Sequence, residues 1–226
     1  MVVWFEFSWL LTQRFVGAFR KNAPFHILSK ECKEVKIDDY IDIISNDQIN
    51  IGYIPGSSKV LFIKTGQGGT IYGYENKYLD LAIEVNDKYG WSVFVSATSS
   101  DSREAYERDM QLLEQCLSTT EYEVCYLGVS KGGLTGIWHG ADNPKVKRII
   151  SLNAPLMINF HSKTLPGIKK LGKEKLTMVY GSLDPSYKYV PFVEKYVNVQ
   201  IIEGANHNLN GTQIRLIDAW SITNDK

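Results

Sequence analysis

The chain is 226 residues long, a length that suits a single α/β domain with a well-buried core. Its 25 basic and 25 acidic residues cancel to a formal net charge of 0 and are dispersed, which excludes the electrostatic footprint of a nucleic-acid binder. Cys32, Cys116 and Cys125 are too scattered for a disulfide framework and none forms a C-x-x-C pair, so a reducing, cytoplasmic location is expected, with Cys116 and Cys125 as packed thiols.

The opening stretch "MVVWFEFSWLLTQRFVGAFRKNAPF" lacks a basic n-region and a small-residue cleavage site, and Glu6 and Arg14 interrupt an apolar run too short to span a bilayer. It reads as neither signal peptide nor transmembrane helix. Phe5, Trp9, Val16 and Phe19 recur at helical spacing opposite Glu6, Gln13 and Arg20, so residues 1–24 are expected to form an amphipathic extension. Such a segment docks on its own domain, on a second subunit of a homo-oligomer, or on a membrane surface. One domain is then expected over residues 25–226, with no internal repeat and no low-complexity tract.

From Phe25 onward, strand-like and helix-like segments alternate. "HILSKECKEVKI" and "DIISNDQINIGYI" mix polar and apolar residues as half-exposed strands do, and "YIPGSSKV" supplies turn residues before the apolar run Val60 to Ile63. These predict an antiparallel entry into a sheet. The runs "WSVFVS", "EVCYLG", "VKRIISLNAP", "LTMVYG" and "VNVQIIEG" read as further strands, the first four of them buried. Between them lies helical periodicity, as in Tyr106, Met110, Leu113 and Leu117 after an Asp101/Glu104 capping pair. Such alternation predicts a mostly parallel sheet with helices on both faces.

"YLGVSKGG" sets Gly128, Ser130 and Gly132 directly after one of these buried strands and before "KGGLTGIWHGA", which can form a helix. A sharp strand-to-helix turn is what a nucleophilic serine needs: the glycines remove side chains where strand and helix nearly touch, and the hydroxyl stands above the sheet. A serine hydroxyl also needs a base and a group to orient that base. Of the four histidines, His26 lies in the entry strand, His139 sits more than two turns along the helix after Ser130, and His161 lies in a polar connection. His207, in "EGANHNLNG", follows the last strand, where α/β sheets place their ligand-binding loops. Asp184, in "VYGSLDPSY", occupies the turn after the preceding strand; by itself it would read as a turn-capping aspartate.

Ser130, Asp184 and His207 occur in the order Ser, Asp, His, each at or near the C-terminal end of a successive predicted strand. In this the sequence resembles the α/β-hydrolase superfamily over roughly residues 25–226, carried by "GVSKGG", "YGSLDPS" and "EGANHNL". The resemblance implies an α/β-hydrolase fold and a Ser-His-Asp triad acting on a small-molecule acyl ester or thioester, with no metal or organic cofactor. It also implies an oxyanion hole with one amide from Lys131. The second amide would come from "KTGQGG", similar to the family's His-Gly-x-Gly loop with Thr65 in place of histidine, where Gln67 is the matching position.

Several readings stay open at this stage. Lys131 either offers a cation to an anionic substrate or points to solvent, and Trp138 and His139 either line a pocket or pack in the core. An acyltransferase would use the same three residues with a bound alcohol in place of water, and a non-catalytic binding module would keep the fold without the chemistry. A peptidase of the prolyl-oligopeptidase type would need a propeller domain for which the chain has no room. Lids in this superfamily are usually inserted after the strand that follows the nucleophile helix. Here "APLMINFHSKTLPGIKKLGKEK" has room for one helix and no cap domain, so an open site with a preference for short acyl groups is expected.

Overall fold

The computed structural model describes residues 51–117 and 119–209 in full, together with the backbone of His26–Leu28 and Glu34–Lys36. The amphipathic extension expected over residues 1–24, Cys32 and everything beyond residue 209 lie outside the described residues.

The described strands form one sheet: β1 (His26–Leu28), β2 (Glu34–Lys36), β3 (Ile51–Ile54), β4 (Ser57–Lys64), β5 (Trp91–Ser96), β6 (Glu123–Val129), β7 (Val146–Leu152), β8 (Leu176–Gly181) and β9 (Asn198–Ile202). Their order is β2-β1-β3-β5-β4-β6-β7-β8-β9. Every pair from β5 through β9 is parallel, and the pairs made by β1, β2 and β3 are antiparallel, as the entry segments led us to expect. Two details differ. "HILSKECKEVKI" is not one strand but the paired strands β1 and β2. β3 is buried along its whole length rather than half-exposed, because it lies between β1 and β5.

The helices are α1 (Lys77–Tyr89), α2 (Arg103–Cys116), α3 (Lys131–His139), α4 (Leu165–Lys175) and the single turn α5 (Val190–Val193). Successive strand residues point to opposite faces, and both faces are apolar, so the strands read in sequence as unbroken hydrophobic runs. Phe62, Phe94, Tyr126, Ile149 and Tyr180 face one layer, packed with Tyr106, Met110 and Leu113 of α2, Leu134 and Ile137 of α3, and Ile168 of α4. Leu61, Ile63, Val93, Val95, Leu127 and Ile150 face the other, against Leu81, Ala82 and Val85 of α1. Phe62 stacks on Tyr126 with ring centroids 5.1 Å apart, a contact worth about 1 kcal/mol beyond its burial.

α2 begins one residue later than expected. Ser102, not Asp101, is its N-cap, its hydroxyl accepting a hydrogen bond from the Ala105 amide at 3.2 Å. Asp101 instead turns towards Lys131, with Oδ2 3.4 Å from Nζ. Among the described residues no helix is long and apolar enough to cross a membrane.

Candidate active site

Parallel strands deliver all their C-terminal ends to one edge of the sheet, so the loops after β4, β6, β7, β8 and β9 converge there. Ser130 follows β6 directly, with φ 53° and ψ −119°, a conformation that a non-glycine residue holds only at a cost of about 1–3 kcal/mol. The turn is tight because glycine lets the backbones meet. A Cβ on Gly128 would stand 2.4 Å from the Gly132 carbonyl oxygen, and one on Gly132 would stand 2.3 Å from that of Lys64. Gly128 therefore brings strand to helix, as expected, while Gly132 brings the helix against the end of β4.

Two backbone hydrogen bonds hold the strained residue: the Ser130 amide donates to the Leu152 carbonyl at 2.8 Å, and its carbonyl accepts from the Gly133 amide at 2.9 Å. A serine at a helix N-terminus ordinarily caps it with its side chain. Ser130 makes no side-chain cap. Its Oγ lies instead 2.9 Å from His207 Nε2.

His207 Nδ1 lies 2.5 Å from Asp184 Oδ2. The carboxylate is an acceptor, so Nδ1 carries the proton, and Nε2 of the neutral ring is left to accept from the Ser130 hydroxyl. The Asp184 side chain is wholly buried, whereas that of His207 is 40% exposed. The carboxylate is thus shielded while the imidazole edge stays reachable. Asp184 also performs the turn-capping role its sequence context suggested, Oδ1 accepting from the Ser186 amide at 2.6 Å. One oxygen shapes the turn and the other meets the imidazole.

Of the other histidines whose side chains are described, His139 is occupied elsewhere and His161 is exposed. His139 Nε2 lies 3.0 Å from the Asp101 carbonyl oxygen, and its ring packs beside Tyr106. His161 is exposed in the π-helical turn Phe160–Thr164. Trp138 packs against the core and donates Nε1–H to Thr164 Oγ1 at 3.0 Å, so Trp138 and His139 both serve packing. The Lys131 ammonium faces the Asp101 carboxylate as a partly exposed pair, whose net contribution is at most about 1 kcal/mol.

The glycine-rich loop after β4 reaches the serine. A Cβ on Gly66 would lie 3.1 Å from Ser130 Cβ, and the Gly69 amide closes a turn on the Gly66 carbonyl at 3.1 Å with Gln67 exposed at its corner. Lys131 is the first residue of α3, where the leading amides lie outside the helix's own ladder and point to its N-terminus.

Two polar features near the site escaped the sequence analysis. Lys64, at the end of β4, buries its ammonium 2.6 Å from Asp109 Oδ2 on α2, with Ser96 and Thr98 completing the cluster. Burial pulls the Lys64 pKa below the usual lysine range while Asp109 works against that shift. The signal was a lysine closing the apolar run "VLFIK" and an aspartate beside the apolar stripe of α2. The second feature is Asn153, buried at the end of β7 in a left-handed conformation.

No protein-family model matches the chain, and a search of curated proteins finds no match either. Solved structures do match. Est1E from Butyrivibrio proteoclasticus superposes with a TM-score of 0.59 at 14% identity, over 80% of this chain and 96% of that one. The dienelactone hydrolase of Anabaena variabilis gives 0.59 at 17% identity, over 89% of this chain and 98% of that one. XC6422 from Xanthomonas campestris, described as an α/β serine hydrolase without lid, gives 0.54 at 13% identity, over 89% and 91%. The chain has the α/β-hydrolase fold.

Proposed function

We propose that the chain is a serine hydrolase that cleaves an ester or related acyl bond through an acyl-enzyme. The observation that carries this reading is the unbroken hydrogen-bonded chain from Asp184 Oδ2 through His207 to Ser130 Oγ, ending on a strained serine whose hydroxyl declines the cap. Helix capping alone would explain Ser130 without His207, and turn capping alone would explain Asp184 without its second oxygen.

In the first step Ser130 Oγ forms a bond to the acyl carbonyl carbon as its proton passes to His207 Nε2. Asp184 stabilises the imidazolium and keeps the ring in the required tautomer. The carbonyl oxygen gains negative charge, for which the amides of Lys131 and Gln67 are the proposed donors, each worth about 3 kcal/mol in the transition state. Collapse breaks the bond to the leaving group, which departs with the proton from Nε2. A water then gives a proton to Nε2 and its oxygen to the acyl carbon, releasing the acid and restoring the Ser130 hydroxyl. With that water as the second proton source, Ser130 and His207 carry every proton in this cycle.

Among the described residues the connection between β7 and β8 carries the π-helical turn and α4 and supplies no cap domain, and XC6422, described as lacking a lid, has a similar fold. An open site favours small acyl groups. The buried free thiol of Cys125 fits work in a reducing compartment such as the cytoplasm. The test is a panel of acyl esters and thioesters assayed for product with and without added alcohols. Release of free acid supports the hydrolase, and acyl transfer that dominates in the presence of an alcohol would contradict it.

A further inference from the structure

His207 has to travel to reach Ser130. It follows β9, which lies three strands from β6, about 14 Å at the usual spacing of a sheet. The loop from residue 203 to 207 therefore runs back across the ends of β8 and β7. It is tied to β8 by the Leu183 amide donating to the Ala205 carbonyl at 2.9 Å and the Ser182 amide donating to that of Ile202 at 3.0 Å. At the end of β7 the side chain of Asn153 ties it.

Asn153 uses both ends of its amide. Nδ2 donates to the His207 carbonyl at 2.8 Å and the Asn206 carbonyl at 3.2 Å, while Oδ1 accepts from the Gly181 amide at 2.9 Å. Carbonyls only accept and an amide N–H only donates, so the side chain can sit only this way round. Its own backbone amide donates to the Val179 carbonyl at 2.9 Å. The residue is wholly buried with φ 49°, a left-handed conformation that asparagine tolerates better than other side-chain-bearing residues. Oδ1 thus grips the end of β8, three residues before Asp184, and Nδ2 grips the residue whose imidazole bonds that carboxylate.

We propose that Asn153 is a positioning residue of the site: it ties the turn bearing Asp184 to the loop bearing His207 and so fixes the imidazole against the Ser130 hydroxyl. Aspartate is close in shape and keeps Oδ1 for the Gly181 amide, but a carboxylate would meet the Asn206 and His207 carbonyls with an acceptor. Glycine keeps the left-handed backbone and removes both grips. A displacement near 1 Å costs on the order of 100-fold in rate.

The proposal rests on the hydrolase reading for its kinetic arm and on geometry alone for its spectroscopic arm. Asn153→Asp and Asn153→Gly are compared with Tyr180→Phe, which removes the bond from the Tyr180 hydroxyl to the Ala154 carbonyl at 2.9 Å and so loosens the same end of β7 while keeping the Asn153 side chain and its three hydrogen bonds. In the Asn153 variants kcat on a short ester and the rate of fluorophosphonate inactivation are expected to fall about 100-fold with KM within about threefold, while Tyr180→Phe keeps both. The low-field proton resonance of His207 Nδ1–H should shift or vanish in the Asn153 variants and persist in Tyr180→Phe. Unchanged turnover and an unchanged resonance in folded Asn153→Asp would overturn the proposal. So would failure of both Asn153 variants to fold while Tyr180→Phe folds, since the residue would then determine the fold and not the site. If the wild type hydrolyses nothing, the hydrolase reading fails, and the resonance alone decides the role of Asn153.

Discussion

His207 Nε2 and Ser130 Oγ lie 2.9 Å apart although 77 positions separate the two residues in the chain. Only the sheet brings them together, and the other histidines should prove dispensable. His207→Ala is expected to lower kcat about 10⁴-fold or more, and Asp184→Asn about as strongly by favouring the wrong tautomer. His139→Ala and His161→Ala should stay within about threefold of wild type. Ester hydrolysis at saturating substrate checks this, and a loss in His139→Ala equal to that in His207→Ala would name a different base.

The Lys64–Asp109 pair is 3% and 1% exposed, so its members depend on each other more than on water. Removing one partner strands the other charge. Lys64→Met is expected to lower the free energy of unfolding by about 3–5 kcal/mol, and the double variant Lys64→Met/Asp109→Leu to recover at least half of that. Denaturant titration reads both. Equal stability of the two variants would mean that the pair is not coupled.

Cys125 carries a pH dependence whose sign is fixed. Burial pushes its thiol up to about 12, whereas the unfolded thiol ionises near the ordinary value of about 8.5. Above that ordinary value the folded chain holds a proton that the unfolded chain has lost, so the stability is fully present below it and is lost as pH rises towards 12. The wild type should lose about 1.4 kcal/mol per pH unit more than Cys125→Ala between about pH 9 and pH 10.5. Parallel pH profiles for the two proteins would contradict this.

Among the described residues no cap covers the site, which leaves little surface on which to bury a long chain, and each methylene left in water forgoes about 0.8 kcal/mol. Acetyl to butyryl esters are expected to show higher kcat/KM than decanoyl or longer esters, measured below micelle-forming concentrations. A preference for the long chains would mean that residues 1–24 or a second subunit complete an apolar wall.

What the sequence disclosed is what local pattern encodes. Buried runs such as "WSVFVS" and "EVCYLG" marked the strands because both faces of the sheet are covered, and the glycines of "GVSKGG" marked the elbow because close approach leaves no alternative. The three side chains grouped by chain order do meet in one hydrogen-bonded chain. Ser102 displaced the expected Asp101/Glu104 pair because capping turns on a backbone angle one residue wide, and Asp101 faces Lys131 instead. Asn153 and the Lys64–Asp109 pair stayed hidden because their partners are remote in sequence: Asn153 reads simply as the end of "ISLN" until β8 and the His207 loop are folded beside it.

The account stands on Ser130 as the nucleophile, and its most direct test is covalent labelling with a fluorophosphonate followed by intact-mass and peptide mapping. One adduct is expected, on Ser130, and Ser130→Ala should keep the wild-type unfolding transition while losing both the adduct and ester turnover. Labelling that persists in Ser130→Ala, or turnover that survives it, would contradict the account.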